Sequence, residues 1–238
     1  MTTSSGDTDG GATGERLATA HQGARARIGA MARAATPEAM ARIVPACPEW
    51  TAHQLLAHCT GTPASIVARQ LPTGDLQAWL DGIVADRADW PVEALLAEWD
   101  AASTTIEASL REQPGYLSTL LYDVLAHEID LRTALGATTP LDDEALQVGL
   151  ELTVGNLTAD LAAHGLPGVV IDAGASRWLA GEEPVGLELF APPEELFRLL
   201  GGRRSRAQIA GAVVTGDLER FLPALTHGLA LPAEDLRD

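Results

Sequence analysis

Lysine does not occur in this 238-residue chain. Its 16 basic residues are therefore all arginine, set against 33 aspartates and glutamates, and the formal net charge is −17. A chain of this sign repels phosphate backbones and anionic lipid surfaces, and no basic stripe overrides the imbalance, so nucleic acid is a poor partner for it. Cysteine is nearly as scarce. Cys47 and Cys59 give no disulfide framework, which fits a reduced cytoplasmic protein, and each reads by default as a small buried thiol. No hydrophobic run is long enough for an uninterrupted membrane span, and the opening MTTSSGDTDGGATG lacks the apolar core of a signal peptide. Residues 1–13 are accordingly expected to form a disordered tail. Also missing are a phosphate-binding glycine loop, a GxSxG elbow and a CxxC pair. The absence of lysine beside abundant alanine and glycine has the look of codon bias in a GC-rich genome.

What is present suits a folded protein. A hydrophobic share of 46% over this length allows one large or two modest domains with a real core. Residues 14–35 are rich in alanine and arginine with few helix breakers, and Thr36, Pro37 and Glu38 form a helix-start signature for a short second helix. Thr51 and Gln54 have capping-box spacing, with Trp50 ahead as a possible hydrophobic staple, so a further helix is expected from about Thr51. Residues 91–112, 121–136 and 141–164 complete the helical set, the last two closed by Gly136 and by the HGLPG turn. Beyond Gly168 the texture changes. VVIDAG, VGLELFA and AQIAGAVVTG favour strands, while PPEELFRLLGG and GDLERFLPALTHGLA look helical. The fold expected is a helical bundle over residues 14–165 followed by a small α/β domain over 168–238.

One segment of the bundle is chemically unusual. In LYDVLAHEIDLRTALG, residues 121–136, helical spacing gathers Asp123, Val124, His127, Asp130 and Leu131 into one stripe, so two carboxylates and an imidazole share an apolar face. His58 lies on an earlier helix with Leu55 and Thr62 at helical spacing, and should also point inward. Side chains from facing helices can converge on a metal, and His58, Asp123 and His127 would supply two imidazoles and one carboxylate. That set suits zinc or another divalent first-row metal and leaves a position open for a catalytic water or a thiol; Asp130 could orient His127 or a substrate. Against this stands the ordinary role of a histidine on an apolar face, that of a hydrogen-bonded core residue, and spacing alone leaves both readings open. Glu128 and Arg132 read as an exposed pair one turn apart. His21, His53, His164 and His227 have no carboxylate at metal spacing and read as surface or structural residues.

The stretch VPACPEWTAHQLLAHCTG resembles the P-x-C-P-x-W-T…L-x-x-H signature of the mycothiol-dependent maleylpyruvate isomerase family, and DVLAHEIDLRTALG resembles its second signature. The C-terminal PPEELFRLLGGRRSRAQI…GD is similar to the end of that family's smaller domain, so the resemblance runs from about residue 14 onward. It implies a DinB-like, four-helix-type bundle whose metal is held by His58, Asp123 and His127, with mycothiol as the thiol cofactor. The activity it implies is cis–trans isomerisation of maleylpyruvate. The acidic ligand in the family is often glutamate, whereas here it is the shorter Asp123.

A metal-bound thiolate adding reversibly to an activated double bond would make that bond rotatable. Arg203, Arg204 and Arg206 are the local candidates for holding substrate or cofactor carboxylates, since guanidinium matches carboxylate geometry; a solvated loop is the equal alternative. Expected partners are small carboxylate or electrophilic substrates, in a monomer or homodimer. Two other functions stay open: thiol transfer onto an electrophile, and non-catalytic binding of an apolar ligand.

Overall fold

In the computed structural model, residues 7–138 and 141–236 are described. The protein is mostly helical with one small mixed sheet, as its periodicities lead one to expect. Its contacts divide it into two compact units, the first ending at Ala145 and the second beginning at Leu146. The change of sequence texture near Pro167 lies inside the second unit.

The first unit is built on four long helices, α1 (Asp7–Ala34), α3 (Ala52–Val67), α5 (Val92–Glu112) and α6 (Ser118–Leu135). Each packs on two others in a closed ring, α1 on α5, α5 on α3, α3 on α6 and α6 on α1. The core between them contains Ile28, Leu55, Leu56, Leu95, Trp99, Ile106, Leu121 and Ile129, all at most 1% exposed. Of the tail expected over residues 1–13, residues 1–6 lie outside the described part, and 7–13 are helical because α1 continues upstream. Extending a formed helix needs no new nucleus. Short elements fill the connections: α2 (Pro37–Met40), the antiparallel hairpin β1 (Ile43–Val44) and β2 (Cys47–Thr51), and α4 (Leu76–Ala85). Neither the hairpin nor α4 was evident in the sequence, since strands of two and five residues carry no measurable alternation.

Thr51 caps α3 as its spacing predicts: its side chain accepts from the Gln54 backbone N–H, and the Gln54 side chain accepts from the Thr51 N–H. Gly61 lets α4 approach this helix, because a Cβ there would lie 2.5 Å from Ile83 Cγ2 and 2.6 Å from Arg87 Nε. Gly136 closes α6 in the left-handed conformation, φ 67°.

The second unit holds most of α7 (Asp143–His164) and a four-stranded sheet in the order β4 (Arg177–Ala180), β3 (Gly168–Asp172), β5 (Val185–Phe190), β6 (Val213–Gly216). β3 and β5 run parallel and the other neighbours antiparallel. Helices α8 (Pro193–Leu200), α9 (Arg206–Ala212) and α10 (Leu218–Leu225) complete it. AQIAGAVVTG is only half a strand. Its first part is α9, started by a reciprocal capping box between Ser205 and Gln208, and β6 begins at Val213.

Candidate metal centre

The first unit brings together the three residues singled out as ligands. α3 presents His58 inward at 4% exposure, and α6 presents His127, also at 4%, from the facing side. Asp123, one turn before His127, bridges the imidazoles. Its Oδ2 lies 3.0 Å from His58 Nε2 and its Oδ1 lies 3.2 Å from His127 Nε2. The two rings meet edge to face with centroids 5.0 Å apart. The shorter side chain of aspartate is therefore long enough to reach both histidines.

Around a tetrahedral cation with metal–ligand bonds of about 2.0–2.1 Å, neighbouring nitrogen and oxygen donors stand about 3.3 Å apart. The spacings found here differ from that by a few tenths of an ångström, and one donor atom from each of the three residues lies within 4.8 Å of the others. The donor set thus fits a divalent metal, and leaves room in the coordination sphere for a further ligand.

Electrostatics ties the group together. Burial would raise the Asp123 carboxyl, but His127 and His58 outweigh burial and hold it well below the usual carboxylate range. For His127 burial opposes the charged form, yet Asp123, together with hydrogen bonding to Asp130 and Cys47, lifts it well above an ordinary histidine. Asp130 is 1% exposed, and its Oδ2 lies 3.0 Å from His127 Nδ1. With Nδ1 on Asp130, the ring's Nε2 faces Asp123. The Thr62 hydroxyl lies 3.4 Å from His58 Nδ1, on the far side of the other imidazole.

Two residues of this neighbourhood escaped the reading of the sequence. Trp50, taken as a helix staple, lies over the His58 ring with centroids 4.9 Å apart. Cys47, taken as a buried thiol, is partly exposed, and its Sγ lies 3.9 Å from Asp130 Oδ2. Both stand on β2, so the hairpin forms one wall of the centre. The signal available was their place in the same short motif as His58. Cys59 does fit the reading given it: it is buried, and burial pushes its thiol up to about 12.

Glu128 is not the exposed partner of Arg132 that its spacing suggests. It is 2% exposed and is gripped by Arg27 of α1 through two hydrogen bonds of 2.5 and 2.9 Å. The arginines of the second unit differ among themselves. Arg204 is buried and forks onto Glu195 with two bonds of 2.7 Å, Arg203 donates to the Gly201 carbonyl at 2.7 Å, and Arg206 is exposed on Glu219. A cavity of about 560 Å³ lies elsewhere in the first unit, lined in part by Met40, His53, Gln54 and Trp90.

Fold and site together define a DinB-like helical bundle with a candidate divalent-metal site, joined to a small α/β unit. Residues 21–132 match the family described as the mycothiol maleylpyruvate isomerase N-terminal domain. Two solved structures share the fold: mycothiol-dependent maleylpyruvate isomerase, with a TM-score of 0.56, and a histidine-to-alanine mutant of it, with 0.57. Each is 16% identical to this chain, with 85% of this chain and 93% of the other covered. Among curated proteins no sequence match was found.

Proposed function

We propose that the protein is a metal- and thiol-dependent isomerase of small unsaturated carboxylates, with mycothiol as its thiol and maleylpyruvate as the first substrate to try. The observation that carries this reading is the bridged cluster of His58, Asp123 and His127, whose donors stand close to the spacing of a tetrahedral cation's ligands. Zinc is the metal that this mixed nitrogen and oxygen set suits best. Bound together, cation and thiol would supply a thiolate that adds reversibly to an activated double bond and leaves again after rotation.

The chain's own residues have distinct parts in this. His58, Asp123 and His127 hold the cation, and Asp130 keeps the His127 Nε2 lone pair turned toward it. Trp50 shields His58 on one side. Neither cysteine is needed as a nucleophile, because Cys59 stays protonated and the thiol comes from outside. Of the three arginines, Arg203 and Arg206 are proposed to receive carboxylates, and Arg204 to clamp Glu195 within its own unit.

Metal analysis of purified protein should find at least one equivalent of divalent metal. The His58→Ala and His127→Ala proteins should lose it together with turnover of maleylpyruvate. Turnover by the wild type should require added mycothiol and yield the isomer. Accumulation of a stable thiol adduct would instead identify a transferase. Wild-type metal content in both alanine variants would overturn the site, and full turnover after removal of all small thiols would overturn the mechanism.

A further inference from the structure

His127 has two ring nitrogens, and the structure gives each its own set of donors. Nε2 faces Asp123 and His58, whereas Nδ1 faces Asp130 Oδ2 at 3.0 Å, with Cys47 Sγ 3.9 Å from that same oxygen. One donor atom each from Cys47, His127 and Asp130 lies within 4.8 Å of the other two. Sulfur, nitrogen and oxygen thus converge a second time, on the opposite side of the imidazole.

The spacing is that of a metal site. Around a tetrahedral cation bound to nitrogen and oxygen at about 2.0 Å and to thiolate at about 2.3 Å, nitrogen and oxygen stand about 3.3 Å apart and sulfur and oxygen about 3.5 Å. The observed contacts bracket these values, so movements of a few tenths of an ångström would bring all three donors into range. Asp130 and His127 are buried in the core, at 1% and 4% exposure. Cys47 is partly exposed on a short hairpin, which gives a cation a path in and the sulfur freedom to adjust.

We propose that Cys47, Asp130 and the Nδ1 face of His127 form a second cation site, selective for thiophilic divalent metals such as zinc, cobalt(II) or cadmium. A cation held there would release the thiol proton of Cys47 and the Nδ1 proton of His127 to solvent, and His127 would offer one ring nitrogen to each set of donors. A thiolate, a carboxylate and an imidazolate carry more negative charge than the set around Asp123, and they include the only sulfur of either group. Soft metals therefore distinguish the second site from the first. The site does not depend on the reaction proposed above. It requires only that His127 be shared.

Cobalt(II) titration of the metal-free, full-length protein tests this, because thiolate ligation gives a near-ultraviolet charge-transfer band that nitrogen and oxygen ligands do not. The wild type should take up two equivalents, one giving visible ligand-field bands alone and the other bringing the charge-transfer band. Cys47→Ser should bind one equivalent without that band, and Asp130→Asn should weaken the sulfur-bearing site about tenfold or more. Cys59→Ala should behave as the wild type. A wild type that saturates at one equivalent with no charge-transfer band overturns the second site, as does a band that survives Cys47→Ser and vanishes in Cys59→Ala. A sulfur-bearing equivalent without the ligand-field one would instead count against the site built on Asp123.

Discussion

Glu107 shows how this protein accommodates charge in its core. From α5 it meets His21 Nδ1 at 3.3 Å, the Gln22 amide at 2.6 Å and Arg25 at 3.5 Å, all three on α1. Burial pushes its carboxyl up, but the hydrogen bonds from His21 and Gln22 and the charges of His21 and Arg25 prevail, and it titrates below an ordinary glutamate. A carboxyl whose folded value is depressed contributes stability that is complete above the unfolded value, about 4.3 for glutamate, and is lost as pH falls through the lower folded value. Glu107→Gln should therefore cost roughly 1–3 kcal/mol in urea unfolding at neutral pH, with the difference shrinking in acid as the wild type is itself protonated. A penalty that stays constant into strong acid would show that shape, and not charge, makes the contribution. His21 itself illustrates how little a lone residue type reveals: with no carboxylate near it in sequence, it finds one 86 positions away.

At the scale of elements, α6 bears two kinds of polar side chain on its buried surface. One face holds Asp123, His127 and Asp130, and Glu128 is turned toward α1, where Arg27 grips it. Removing one member of such a buried pair leaves the other charge uncompensated, so Arg27→Met should destabilise the protein by about 3–5 kcal/mol. The double variant Arg27→Met/Glu128→Leu should recover most of that loss, because well-packed apolar groups replace a buried pair at little cost. Thermal denaturation of the three proteins checks this, and a double variant no better than the single one would contradict it. The α3 start is tuned separately. Thr51→Ala removes half of the capping box and should cost about 1 kcal/mol while the metal content stays that of the wild type, since His58 sits two turns further along.

For the whole molecule, the ligands of both clusters lie between residues 47 and 130, inside the unit that ends at Ala145. A chain truncated after Ala145 should therefore keep its metal. Its turnover should be lost if the arginines of the second unit receive the substrate as proposed. Metal analysis and the isomerase assay on the truncated protein separate the two, and full activity in the bundle alone would remove the arginines from the mechanism.

Sequence alone determined what depends on neighbours a few residues apart. The long helices, the Thr51–Gln54 cap, the Gly136 stop and the i, i+3 and i, i+4 spacing of Asp123, His127 and Asp130 follow from helical repeat and turn chemistry. Ser205 and Gln208 form a cap of the same kind, and it outweighed the β-like composition of the segment that follows. Tertiary structure decided which of these faces would meet. His58 reaches Asp123 across 65 positions, Cys47 reaches Asp130 across 83 and Arg27 reaches Glu128 across 101. No local period encodes such pairings, because they are set by the order in which helices close a shared core. A histidine on an apolar face becomes a candidate metal ligand, and a glutamate beside an arginine becomes another helix's partner, only once the opposite wall is in place.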